Sequence, residues 1–156
     1  AILADRRNEW MTWRYGMHYN LTAAELWITR GDLGRARHHI ENCLAVAQRT
    51  RSRRYIVRAT RLLAACHVAA GELVQGERLL AHVVAQARAL ANPAQLWHSL
   101  LAHAQVLRSQ ERHDESLAAG REGVELTNRV ADALPPELGS TFRGSSVSAG
   151  LAELAQ

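Results

Sequence analysis

The sequence has no lysine, a single phenylalanine, three prolines and two cysteines, and each scarcity narrows what the chain can be. With so little proline and so much Ala, Leu, Arg and Glu, all good helix formers, it reads as all-α. Cys43 and Cys66 fall inside predicted helices rather than in a spaced framework. They read as small buried residues in a reducing, cytoplasmic setting, not as a disulfide scaffold. No stretch approaches a membrane span in length, and no charged leader followed by an apolar run opens the chain, so no membrane partner is expected. All nineteen strongly basic side chains are Arg. Either Arg or Lys would serve on a solvated helix face, so this choice reads as the mark of a GC-rich genome rather than of nineteen bidentate sites.

The usual chemical signatures are also missing. There is no glycine-rich phosphate loop, since Gly31, Gly34, Gly71 and Gly76 belong to turns and helix crossings, and there is no nucleophile elbow or Cys with a His partner. The carboxylate pairs Asp114-Glu115 and Glu122-Glu125 are explained by helix N-terminal stabilisation and by solvation. Of the eight His, His98 and His103 stand five apart on different faces and His38 and His39 are adjacent, which is no ligand spacing on a helix. No catalytic residue, metal or cofactor is expected, and the chain does not read as an enzyme; any catalysis would lie in another domain.

What is present is a repeat. The run Ala24, Trp27, Gly31-Asp32-Leu33, Ala36, Ile40, Cys43-Leu44, Ala47 returns twice, forty residues on each time. Ala24 recurs as Ala64 and Ala104, Gly31-Asp32-Leu33 as Gly71-Glu72-Leu73 and then as Glu111-Arg112-His113, and Ala36 as Gly76 and Ser116. A fixed period of this size with helical composition means stacked helix pairs. Apolar steps and capping residues place helices at about 8–30, 33–49, 54–70, 73–90, 94–110 and 114–133. Asn92-Pro93 and Pro135-Pro136 are strong boundaries. Three pairs are expected over 1–134, at about 8–49, 53–91 and 93–133. Residues 135–156 should form a capping segment of two short helices anchored by Phe142.

The spacing of a small residue, an aromatic three later, Gly-Asp after four more and a small residue five on resembles the tetratricopeptide repeat, with Trp27 in the aromatic slot and Ala24 and Ala36 in the small slots. The second copy has His67 in the aromatic slot and the third has Leu107, with Glu111 for the turn glycine. Trp13-Arg14-Tyr15, His18, Cys43-Leu44-Ala45, the run Arg49 to Tyr55 and Asn92 to Trp97 narrow the likeness. They resemble the long-period repeat regions at the C-termini of large bacterial signalling proteins, which carry a cyclase, a kinase or a winged-helix activator ahead of a STAND-type ATPase. The resemblance implies a right-handed α-α superhelix of about three antiparallel helix pairs plus a C-terminal capping helix. It also implies a non-catalytic role in protein–protein interaction or regulation, and the chain reads as a piece of a larger protein.

In that fold the first helix of each pair lines a concave groove. The facing residues would be His18, Leu21 and Glu25, then Arg58, Arg61, Ala65 and Val68, then His98, Leu101, Gln105 and Arg108. Such a lining suits a peptide or partner segment with a carboxylate or two, held through Arg58, Arg61, His98, Gln105 and Arg108. Trp10 and Trp13 would form a face for an upstream repeat or for self-association, while Trp97 reads either as core packing or as an interface anchor. Charge is unevenly placed: residues 30–61 carry nine Arg against two carboxylates, and residues 111–156 carry four Arg against eight carboxylates. The run from Arg49 to Arg61 could grip phosphates, or be a solvated loop running onto a helix face. Nucleic acid is disfavoured, because aromatics do not interleave with the Arg run and the acidic third would repel a polyanion. A second functional reading is a regulatory domain that senses a small molecule between helices.

Overall fold

The computed structural model describes residues 9–156, with the side chains of residues 9–12 and 14 outside that description. Among the described residues every regular element is a helix. The chain divides into two compact units, Ala1–Glu72 and Leu73–Gln156.

The first unit holds α1 (Glu9–Thr29), α2 (Leu33–Arg49) and α3 (Arg53–Ala69). The second holds α4 (Leu73–Ala89), α5 (Pro93–Ser109), α6 (His113–Asp132), α7 (Pro136–Arg143) and α8 (Ser146–Leu154). From α2 to α5 every helix has seventeen residues. Each is joined to the next by a three-residue turn, so the forty-residue repeat is two twenty-residue helix-and-turn modules.

The turns share one geometry. After α1, Gly31 takes a φ of 76° and donates its N–H to the Ile28 carbonyl (3.0 Å), while the Asp32 N–H reaches the Trp27 carbonyl (2.9 Å). This pair of bonds satisfies carbonyls that the helix end would otherwise leave without partners. The same bonds form at Gly71-Glu72 and at Arg51-Ser52. In the third copy, where the turn glycine is replaced, Glu111 still adopts a φ of 61° and the pair of bonds is intact. The Asp32 carboxylate then caps α2 by accepting from the Arg35 N–H at 3.0 Å, and Asn92 caps α5 by accepting from Gln95 at 3.2 Å.

In the first unit Met17, Leu21 and Ala24 of α1 pack against Ala36, Ile40, Cys43 and Ala47 of α2, and Ala59 and Cys66 of α3 complete the core. Trp27 packs on this cluster with the Arg35 guanidinium 4.4 Å from its ring centroid and Arg30 at 5.7 Å. In the second unit the small-residue crossing of the third copy is fastened by Ser116, whose buried hydroxyl donates to the Ala104 carbonyl at 2.9 Å. Helix α8 packs on α5 and α6, with Leu151 fully buried. Its approach requires glycines: a Cβ at Gly120 would lie 2.8 Å from the Leu154 carbonyl carbon, and one at Gly123 would overlap the Leu151 side chain. Phe142 of α7 meets Trp97 of α5 at 5.2 Å between ring centroids.

Candidate functional site

The candidate residues fall in both units, and each group is described in its own. In the first unit Glu25 of α1 is exposed, and Arg58 on α3 donates to its carboxylate at 2.9 Å. Arg61, one turn on, is half-buried. Its pKa is lowered to about 10, first by burial and then by the neighbouring Arg58, with Glu25 acting the other way. Glu25, Arg58 and Arg61 thus form a local charge cluster, and a ligand carboxylate would have to compete with Glu25 for Arg58. His18 is exposed, as the groove reading requires. Leu21 does not fit that reading: it is fully buried, because helical periodicity places it with Met17, Ala24 and Ile28 on the face turned to α2. Arg49, Arg51, Arg53 and Arg54 are exposed around the turn between α2 and α3, with Arg54 lying 5.5 Å from the Tyr55 ring centroid.

In the second unit Gln105 and Arg108 come together. They line an open depression of about 370 Å³ between α5 and α8, with Ser109, Gly150, Glu153 and Leu154. Arg108 and Glu153 face each other across it at 3.4 Å, both exposed, a loose ion pair that leaves donor and acceptor capacity to a ligand. The Ser109 hydroxyl is turned back onto the Gln105 carbonyl (2.9 Å), which leaves the Gln105 amide and the Arg108 fork as the α5 donors. His98 is exposed two turns earlier on α5 and is not part of this lining. Trp97 is half-buried against Phe142 and the Val84–Leu100–Leu151 cluster, with its Nε1 buried and without a hydrogen-bond acceptor.

A second polar network fastens the helices of this unit. His103 of α5 meets Glu77 of α4 at 3.1 Å, Arg112 lies 3.5 Å from the same carboxylate, and Arg112 also bonds Glu115 in bidentate fashion at 2.7 and 2.6 Å. The Arg112 hydrogen bonds hold the Glu115 carboxyl below its ordinary range. Among the described residues no group of three or more His, Cys, Asp or Glu is arranged to hold a metal ion, and no helix is long and apolar enough to cross a membrane.

Of the tryptophans assigned to an N-terminal face, the Trp10 side chain lies outside the described residues and Trp13 is 41% exposed. Among the described residues of α1 a further exposed surface was not among the expectations from the sequence. Tyr15, Tyr19 and Leu26, with Thr22 between them, form a stripe on the side of the helix away from its core. Carrying these positions forty residues on, to Tyr55, Ala59, Leu62 and Cys66, would have pointed to it. No protein-family model matches the chain, and no curated protein matches it significantly.

Proposed function

We propose that the chain is a non-catalytic interaction module that binds a protein segment on the α5–α8 side of its second unit. The observation that carries this reading is the convergence of Gln105, Arg108 and Glu153 on one open depression. A side-chain amide, a guanidinium fork and a carboxylate can together hold a backbone amide, an acidic side chain and a donor from the same bound segment. Helical repeats present such residues on a scaffold of packed helices, so little ordering is needed on binding. The tetratricopeptide-like spacing of the repeat supports the same class of role. Placement in a bacterial signalling protein, as the part that passes partner occupancy to a catalytic or DNA-binding domain, extends this proposal on the strength of that resemblance.

The depression's volume also lies within the range of small-ligand pockets, and this favours a sensor of a small zwitterionic molecule as the second reading. Titrating the whole chain with arrays of acidic and of neutral peptides, and separately with free amino acids, distinguishes the two. An acidic peptide whose affinity falls about tenfold in Arg108→Ala supports segment binding. Binding of a free amino acid with the same Arg108 dependence supports the sensor, and affinities unchanged in both Arg108→Ala and Gln105→Ala overturn the site.

A further inference from the structure

The forty-residue repeat supplies its own control for the basic turn between α2 and α3. Arg49, Arg51, Arg53 and Arg54 are exposed there, and forty residues on the same positions hold Ala89, Ala91, Pro93 and Ala94. The flanking helices have the same lengths, and Ala91 takes a left-handed φ of 52° where Arg51 takes 53°. The turn and its packing therefore need none of the four guanidinium groups. Nor does their exposure depend on a neighbour: Ala89, Ala91 and Pro93 are exposed too, in a turn that has helix pairs before and after it in the chain.

Local electrostatics run against the cluster. Elsewhere in the first unit Arg35, Arg37 and Arg58 each meet a carboxylate, whereas among the described residues these four meet none. Arg53 and Arg54 open α3 at its positive dipole end, where the first turn carries no acidic side chain; α6 puts Asp114 and Glu115 at that place. The Ser52 hydroxyl pairs with that of Thr50 at 2.8 Å and does not cap the helix. Like charges so close along the chain repel one another and the dipole, with no gain to the fold.

We propose that this turn is a docking site for a short acidic protein segment, independent of what the α5–α8 depression binds. Each guanidinium fork can take one carboxylate in bidentate fashion. The stems leave from the last residue of α2, the turn and the first two residues of α3, so the forks are spread along an edge. A run of carboxylates matches that spread better than one phosphate, which needs donors converging on a point. A long polyanion is opposed by the eight carboxylates, against four Arg, among residues 111–156; a short segment is not. Arg54 is already held 5.5 Å from the Tyr55 ring centroid, so less ordering is needed on binding.

Fluorescence anisotropy of a labelled oligoglutamate peptide, titrated with the whole chain, tests the proposal. One variant takes the residues that the repeat itself uses, Arg49→Ala, Arg51→Ala, Arg53→Pro and Arg54→Ala, with circular dichroism to establish that it stays helical. Arg53→Glu suits the start of α3 and should weaken binding without loss of helix. A control, Arg78→Ala with Arg121→Ala and Arg129→Ala, removes exposed Arg scattered over α4 and α6. The expected result is an affinity that falls at least about tenfold in the fourfold variant and less than about twofold in the control and in Arg108→Ala. Affinity unchanged in both turn variants overturns the proposal. An equal fall in the control reduces the effect to net charge and overturns it as well, as does binding no tighter than that of oligoglutamine. A fall confined to Arg108→Ala sends the peptide to the α5–α8 depression instead. Tighter binding of a phosphorylated peptide or a single-stranded oligonucleotide, lost in the same turn variants, gives the turn to phosphate and overturns the choice of a carboxylate ligand.

Discussion

The two units differ in how the faces of their helices are covered. The first has a relaxed turn after α1, where Gly31 sits in the left-handed region without penalty, yet it leaves the apolar stripe of α1 uncovered. As the first unit does with Arg51, the second places Ala91 and Glu111, both with side chains, at the same left-handed position of its turns, which strains the backbone by about 1 kcal/mol each. Its last helix pair is nevertheless closed by α8, lying close enough on α6 that Gly120 and Gly123 admit no Cβ. Interdigitated packing of this kind contributes more than a strained turn costs. The turn tolerates a non-glycine residue in either unit, and what separates the units is how the helix faces are covered.

Removing the seal should give the largest effect. Leu151 is fully buried against Val84 and Leu100, so Leu151→Ala is expected to lower unfolding stability by about 3 kcal/mol. Leu26→Ala on the open stripe should change the stability of the isolated chain by no more than about 0.5 kcal/mol. Denaturant melts of the two variants measure the contrast directly, and equal losses would mean that the stripe is already packed in the monomer. Gly120→Ala comes next, at about 2 kcal/mol, because its Cβ would meet the Leu154 backbone rather than a movable side-chain tip. Gly16→Ala, with nothing near its Cβ, serves as the matched control on α1.

The units should also separate by pH, since both cysteines lie in the first. Burial pushes the Cys43 thiol from its ordinary 9.0 up to about 11, the nearby Arg58 opposing the shift. The folded state therefore keeps a proton that the unfolded chain releases. Its contribution to stability is full below pH 9.0 and is lost as pH rises toward about 11. Melting of the first unit, followed through Trp27, should fall over that window, and Cys43→Ala should flatten the fall. A fall unchanged in Cys43→Ala assigns it to other groups.

Much of this was legible beforehand for identifiable reasons. The predicted helix ends from the second helix onward lie within about one residue of those in the structure, because Asp32, Asn92 and the turn glycines are local signals that act within one turn of chain. Phe142 was legible as a packing residue of the tail because it is the sole Phe in a stretch of small and polar residues, and it does meet Trp97, but the fully buried side chain of the tail is Leu151. The site was less so. The Arg58–Glu25 pair joins residues 33 apart, and its existence depends on how α1 and α3 cross, which no spacing along the chain encodes. Likewise Gln105 and Arg108 share a helix face by spacing, but only the docking of α8 brings Glu153 opposite them. The stripe on α1 was overshadowed by the size of Trp10 and Trp13, although the repeat register already contained it.

The smallest and most discriminating effects should lie in the turns. Gly31→Ala puts a side chain at a φ of 76° with nothing near the new Cβ, so its cost is purely conformational, about 1 kcal/mol. Ala91→Gly, at a φ of 52°, removes the same strain but adds unfolded-state freedom, and the two nearly offset to leave about 0.5 kcal/mol of stabilisation. Thermal unfolding of the pair should therefore move in opposite directions from the parent chain. If Ala91→Gly instead destabilises, the Ala91 methyl makes contacts that outweigh its backbone strain. Arg51, which holds the same position forty residues earlier at a φ of 53°, is the internal check, since Arg51→Gly removes backbone strain at the equivalent turn of the first unit.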